Sequence, residues 1–357
     1  MKAVILAGGF GTRLRPLTLD VPKPIVPIFD SPFLYYQTDL LRQVPEIDEV
    51  ILSLNYRPDR IEACVGAGAE AGVPVRYEVE PYPLGTGGAI KYASRGVDDT
   101  VLVFNGDVLT GIDLRAVVQR HRERAARATI VLTPVDNPSA YGLVETDRDG
   151  NVQRFLEKPS PDQITCDTIN AGIYVLEPDT FDRIPDDTVW SIERQYFPSL
   201  VERGETFVAY VDESYWLDIG TPASYVSAHR DIMAQRCHAG PFVGHPPNAV
   251  IQRGDCRIAA GAIVEGPCFL GAGCVVEAGA RVGPESVLGA GCSVGRDAVV
   301  ERSILWSDTR IEREAVVRDA VLGEGCHIEA HANIGPGAVL GNRSTLTAHS
   351  RVSGATR

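Results

Sequence analysis

Apolar positions along this chain follow two different rhythms. Up to about Gln235, short runs rich in Val and Ile alternate with stretches whose apolar residues repeat at helical spacing. "KAVILAGG", "EVILSLNY", "VRYEVE", "TVLVFNGD", "ATIVLTPV" and "AGIYVLE" read as strands. "LYYQTDLLRQV" and "DLRAVVQRHRERAARA" lie between strands and read as helices. That alternation predicts an α/β domain built on a largely parallel sheet. "PASYVSAHRDIMAQRC" reads as a helix leaving this domain, and "HAGPFVGHPPN" as a Pro/Gly connector.

From about Val243 the rhythm changes. Ile258 to Leu305 divides into consecutive sixes, "IAAGAI VEGPCF LGAGCV VEAGAR VGPESV LGAGCS VGRDAV VERSIL". Each six opens on Ile, Val or Leu, and the fifth place holds Ala, Cys or Ser in seven of the eight. The register slips near Ile311 and again near Leu322, then resumes as "LGEGCH IEAHAN IGPGAV LGNRST LTAHSR". A fixed six-residue period predicts a parallel β-helix, with the branched residue inside a triangular prism and the small one where the chain turns a corner. The pattern resembles that of hexapeptide-repeat proteins, which implies left-handed coiling. The expected domains are therefore residues 1–236 and 237–357.

Charge narrows the partners. With 34 basic and 47 acidic residues the net charge is −13, so no broad basic face is available for nucleic acid. An anionic substrate must be held by a few local cations or by a metal. "MKAVILAGG" carries too short an apolar run for a secretion signal, and no run is long enough to span a bilayer. The eight cysteines include no CxxC pair. Cys268, Cys274, Cys292 and Cys326 fall on the small fifth place, which makes them buried packing groups rather than ligands. A cytoplasmic protein that engages neither membrane nor nucleic acid is expected.

The first strand ends in "LAGGFGTRLRPLTLDVPKP". In open α/β sheets, ligands bind beyond the carboxyl ends of the strands. Gly8, Gly9 and Gly11 stand there, where backbone N–H groups can gather around a phosphate. Arg13 offers a fork that bridges two phosphate oxygens, and Lys23 a point charge in a proline-stiffened loop. A tight turn with solvated cations is the alternative. Asp107 in "VFNGDVL" and Asp218 in "WLDIGTP" stand at strand ends, and two such carboxylates suit Mg²⁺. "FLEKPS" adds Glu157 and Lys158, and "INAGIYV" adds Asn170 and Gly172. Taken singly, Asp107 as a turn former, Lys158 as a surface cation and Asn170 as a loop cap remain open.

Taken together, "LAGGFGTRLRPLT…PKP", "PLGTGGAI", "FNGDV", "YGLVETD", "EKP", "INAGIYV", "SIERQYFP" and "YWLDIGTP" occur in an order that resembles the sugar-nucleotide pyrophosphorylases, closest to the mannose-1-phosphate guanylyltransferases with a hexapeptide-repeat tail. The resemblance implies a Rossmann-like nucleotidyltransferase domain with a mixed, mostly parallel sheet, followed by a left-handed parallel β-helix. It implies a reaction joining a sugar 1-phosphate to a nucleoside triphosphate, GTP favoured, with release of pyrophosphate. By resemblance, Leu6, Ala7, Gly8, Gly9, Gly11 and Thr12 hold the nucleotide, Gly85 and Thr86 contact the base, and Arg13 and Lys23 grip the triphosphate. Asp107 and Asp218 hold Mg²⁺. Lys158 binds the sugar phosphate, with Gly142, Glu157, Asn170 and Gly172 near the sugar. The catalytic set is Arg13, Lys23, Asp107, Lys158 and Asp218. The sequence departs from the family at "GTGG", where relatives read "GTAG".

Other readings carry their own marks. UTP or dTTP with glucose 1-phosphate, or a cyclitol phosphate, keeps the chemistry and changes the pocket. An acyltransferase needs a histidine base between coils, for which His327, His331 and His349 are the candidates. A non-catalytic sugar-nucleotide sensor would be expected to lack one of the five catalytic residues, all of which are present. The flat faces of a prism predict a homo-oligomer.

Overall fold

Nine strands of the first rhythm hydrogen-bond into one sheet in the computed structural model, which describes residues 1–354. They are β1 (Lys2–Leu6), β2 (Glu49–Leu54), β3 (Val75–Val79), β4 (Val101–Asn105), β5 (Ala128–Pro134), β6 (Gly142–Thr146), β7 (Val152–Glu157), β8 (Thr168–Leu176) and β9 (Phe207–Val211). The spatial order is β7-β6-β8-β4-β1-β2-β3, with β5 beside β8 and β9 beside β5. The β4-β1-β2-β3 core is parallel, and β8 joins β4 antiparallel, so the sheet is mixed. The central strands are apolar on both faces, which fits coverage from both sides. Val4, Val103, Ile130, Tyr174 and Phe197 belong to one fully buried core.

Three helices fall on the expected stretches, and two of these begin at side-chain caps. α1 spans Phe33–Leu41, α2 Pro58–Val65, α3 Gly85–Ala93, α4 Leu114–Glu123, α5 Phe197–Glu202 and α6 Pro222–Met233. Asp113 caps α4 by accepting from the Arg115 and Ala116 amides. Thr221 and Ser224 cap α6 reciprocally, with Pro222 at its first turn. Among the described residues, no helix is long and apolar enough to cross a membrane.

The hexad tail forms three six-stranded parallel sheets, the faces of a prism. The residues that open the sixes, Leu270, Val276, Val282, Leu288 and Val294, are buried in one column-like core with the small fifth residues. The fourth place takes a left-handed conformation: Gly273, Gly279, Gly291 and Asp297 all have positive φ, as do His331 and His349 later. This turn aims the small fifth residue inward. One short side lies where expected, just before Leu322. The other lies between Val300 and Leu305 rather than near Ile311. There Arg302 takes the left-handed turn at φ 49, buried Ser303 is the small residue, and Val287 pairs with Ile304. "VERSIL" reads as a regular six only if Ile304 is forced into the small place.

The chain forms two compact units. One comprises Met1–Phe10 and Leu34–Leu217, and the other Gly11–Phe33 together with the chain from Asp218 onward. The change of rhythm at 236 and 237 separates two sequence patterns, but compactness divides the chain differently. The reason is side-chain packing: the Phe29 ring sits against His229, Phe242 and Phe269, with centroids 5.0, 5.5 and 5.3 Å away.

Candidate active site

In the first unit, parallel pairing sets the site. Leu6 is the register partner of both Ser53 and Asn105. The Ala7–Gly9 turn and Asp107 therefore leave from the carboxyl ends of neighbouring strands, where ligands of α/β sheets bind. Gly106 donates its N–H to the Leu6 carbonyl at 3.0 Å, which fixes the start of that turn. Glu80 was not singled out by the sequence. Its carboxylate accepts from Ser53 Oγ at 3.1 Å and from the Leu84 amide at 2.8 Å, and a side chain on Gly8 would come within 3.3 Å of Oε1. Burial raises the Glu80 carboxyl above its ordinary value.

"PLGTGG" and "SIERQYFP" meet. Gly85 and Thr86 open α3, and the Gly87 and Gly88 amides donate to the Trp190 carbonyl. Thr86 Oγ1 donates to Glu193 Oε2 at 2.7 Å and accepts from the Ile192 amide at 2.9 Å. Two segments about a hundred residues apart thus form one wall, a juxtaposition that no local pattern announces.

The proposed sugar side is equally local in space. Gly142 and Glu157 are cross-strand partners. A Cβ on Gly142 would lie 3.0 Å from Glu157 Oε2. Burial, with the like charge of Glu193, holds the Glu157 carboxyl above its ordinary range. Lys158 follows at φ 52, its amide bonded to the Tyr141 carbonyl, with its side chain exposed. In β8, pairing with β5 shifts register between Asn170 and Tyr174. Asn170 shapes this bulge by accepting from the Gly172 amide and donating to the Tyr174 hydroxyl, both at 2.9 Å. Gly172 has φ 77, and a Cβ there would meet Asn105 at 2.8 Å, so only glycine fits. Trp216, also unforeseen, donates from Nε1 to the Ala171 carbonyl at 2.9 Å and meets the Tyr141 ring edge-on.

In the second unit the remaining charged residues gather on one carboxylate. Arg13 Nη2 lies 3.3 Å from Asp218 Oδ2, and Lys23 Nζ lies 3.6 Å from Oδ1. Gly11 starts this segment in a left-handed turn, its carbonyl bonded to Thr18 Oγ1 at 2.7 Å, and Thr12 opens the short helical turn that carries Arg13. The two cations differ in freedom: the Arg13 side chain is 63% exposed and Lys23 only 10%. Asp218 is 18% exposed, and its Oδ1 accepts no hydrogen bond. Gly220 makes room for this cluster, because a Cβ there would lie 2.6 Å from Arg13 Nη2 and 2.7 Å from Asp218 Oδ1.

The tail histidines are engaged elsewhere. His327 pairs with Glu312 at 2.9 Å and His331 with Glu314 at 3.2 Å, while the His331 and His349 rings stack at 4.7 Å. All eight cysteines are free thiols. Among the described residues, no group of three or more His, Cys, Asp or Glu is placed to hold a metal.

Residues 2–235 match the family model described as nucleotidyl transferase, and residues 248–352 match that of the EIF2B subunit epsilon LbH domain. The mannose-1-phosphate guanylyltransferase of Mycobacterium tuberculosis is 41% identical over 268 residues, 74% of this chain and 73% of the relative. The mannose-1-phosphate guanyltransferase of Debaryomyces hansenii is 40% identical over 233 residues, and this chain spans 63% of its length, under two thirds. Among solved structures, HddC from Yersinia pseudotuberculosis, also solved complexed with GMP-PN, is 33% identical at a TM-score of 0.56, covering 65% of this chain and 99% of HddC. The matching family model runs from the first strand through α6, over more than half of the chain, and the chain belongs to the nucleotidyl transferase family.

Proposed function

We propose that this protein joins mannose 1-phosphate to GTP, giving GDP-mannose and pyrophosphate. An oxygen of the sugar phosphate attacks the α-phosphorus of the nucleotide. The new O–P bond forms as the bond from that phosphorus to the bridging oxygen breaks, and the electron pair leaves on pyrophosphate. Every participant is anionic, so bringing them together and neutralising charge is most of the catalytic task.

The observation that carries this reading is the cluster of Arg13 and Lys23 on Asp218. Two cations of different geometry converge on one point of an otherwise acidic chain. Lys23 is held nearly buried and preorganised. Arg13 is free to close its fork on phosphate oxygens and on the leaving pyrophosphate. Lys158 and Glu157, with Gly142, Asn170 and Gly172, take the sugar phosphate. Leu6, Ala7, Gly8, Gly9, Gly11 and Thr12 take the nucleotide, with Gly85 and Thr86 towards the base.

Mg²⁺ fits the donors present. Asp218 Oδ1 is buried and takes no hydrogen bond, and it is a hard oxygen of the kind this ion prefers. Asp107 and Asp218 would hold it. When bound, the ion neutralises phosphate charge and polarises the α-phosphate. Residues 1–236 carry the reaction in this proposal, and residues 237–357 build a homo-oligomer as well as the prism.

Pyrophosphate release measured with GTP, ATP, UTP and dTTP against mannose, glucose and cyclitol phosphates tests the reading. Fastest release with GTP and mannose 1-phosphate is expected. A preference for UTP or dTTP with glucose 1-phosphate would replace the substrates and keep the chemistry.

A further inference from the structure

The segment that carries Lys23 has no regular structure long enough to hold its own shape. It consists of single helical turns at Thr12–Leu14, Leu17–Leu19 and Lys23–Ile25, then a two-residue hairpin of Pro27–Ile28 with Ser31–Pro32. Its shape comes from α6 and the prism. Phe29 adopts φ 58, a left-handed conformation that a non-glycine side chain keeps only when its surroundings impose it. The Phe29 amide donates to His229 Nε2 at 3.1 Å, and His229 Nδ1 donates to the Tyr225 carbonyl at 3.0 Å. Two residues earlier, the Pro27 carbonyl accepts from the Tyr225 hydroxyl. That hydroxyl accepts in turn from Trp306 Nε1, a prism residue, at 2.9 Å. Tyr225, His229 and Trp306 are all buried. At the two ends, Asp20 pairs with Arg343 at 3.1 Å and Asp30 with Arg253 at 3.4 Å.

We propose that Trp306, Tyr225 and His229 are positioning residues for the phosphate-gripping cations, with the β-helix acting as the template that fixes where Lys23 presents its ammonium. The inference rests on the reading that Lys23 and Arg13 bind the triphosphate. The Val26 amide closes onto the Lys23 carbonyl at 3.2 Å, and Pro27 follows directly, so the Trp306–Tyr225–Pro27 chain ends one short turn from the lysine. A buried hydroxyl that both donates and accepts loses a partner outright when either neighbour is removed. Loosening Pro27 would leave Lys23 to be ordered by the ligand, at the expense of affinity.

Full-length wild type, Trp306→Phe and Tyr225→Phe are titrated calorimetrically with inorganic pyrophosphate in Mg²⁺, and KM is measured for GTP and for mannose 1-phosphate. Each variant is expected to weaken pyrophosphate binding and raise KM for GTP about five- to tenfold, the scale of one lost hydrogen bond. KM for mannose 1-phosphate should stay put, because Lys158 belongs to the other unit. The double variant should lose no more than the worse single, since both remove links of one chain. A purely structural role would lower kcat by lowering the active fraction and leave both KM values alone. That outcome, or unchanged pyrophosphate affinity in folded Tyr225→Phe, overturns the proposal. If pyrophosphate affinity falls as stated while GTP is not turned over, the template stands and the substrate reading falls. A wild type that binds no pyrophosphate overturns both.

Discussion

Asp218 holds two cations with one carboxylate, and its surroundings leave little slack. Asp218→Asn should cut turnover by about 10²- to 10³-fold, as loss of a single electrostatic stabiliser does, with the far-UV spectrum unchanged. Near-normal turnover would remove the residue from the site. Gly220→Ala tests the same cluster sterically. Its Cβ would press on the exposed Arg13 fork, which can swing into water, and on the largely buried Asp218 Oδ1, which has less room to move. The melting temperature should therefore fall by a few degrees, corresponding to about 1–2 kcal/mol, while kcat/KM falls about tenfold or more through misplacement of both groups. His229 makes a prediction in pH. Burial lowers its imidazole from 6.5 to about 4. The unfolded chain thus binds more protons than the folded one between these values. Stability is full above pH 6.5 and declines as pH falls towards 4, by roughly 3 kcal/mol. Thermal melts from pH 7 to 4 should show that slope in wild type, and His229→Gln should flatten it.

A side of the prism is a unit that tolerates one length change and few volume changes. Its left-handed fourth place and small fifth place work together: the first reverses the chain and the second fills the corner inside. Where a side has five residues, Arg302 takes the turn and donates both arms of its fork to Asp319 on the next coil, at 2.8 and 2.9 Å. Ser303 Oγ accepts the Ala320 amide at 3.2 Å, tying successive short corners together. The interior cysteines are satisfied in kind: Cys274 Sγ donates to the Gly289 carbonyl and Cys292 Sγ to the Trp306 carbonyl. Burial pushes the Cys268 and Cys274 thiols up to about 12, so they stay protonated at neutral pH. Cys292→Leu should overpack its corner and destabilise the protein by about 1–3 kcal/mol in denaturant melts. A neutral result would mean that the corner has room.

At the scale of the whole molecule, the proposed catalytic residues are carried by two compact units. Asp107 and Lys158 belong to the first, and Arg13, Lys23 and Asp218 to the second. The proposed reaction therefore draws on residues of each unit and on a divalent ion. Excess EDTA should abolish turnover and added Mg²⁺ restore it. Undiminished rates in EDTA would exclude that arrangement.

Periodicity alone determined the class of each part of the fold. Alternating strand and helix rhythms, and a six-residue beat with a small fifth place, report burial, and burial is written locally. The same is true of candidate chemistry at strand ends, where glycines and carboxylates follow apolar runs at Leu6 and Asn105. Tertiary structure alone decided which distant pieces meet. Ser303 or Ile304 could each have filled the small place until neighbouring coils fixed the register. Thr86 gave no sign of Glu193, nor Ala171 of Trp216. Gly11–Phe33 lies next to the first strand in sequence yet packs with α6 and the prism, because the Phe29 ring and the Pro27 carbonyl find partners there. Such pairings depend on shape and hydrogen-bond complementarity between segments about 45 to 200 residues apart, and no local pattern encodes that.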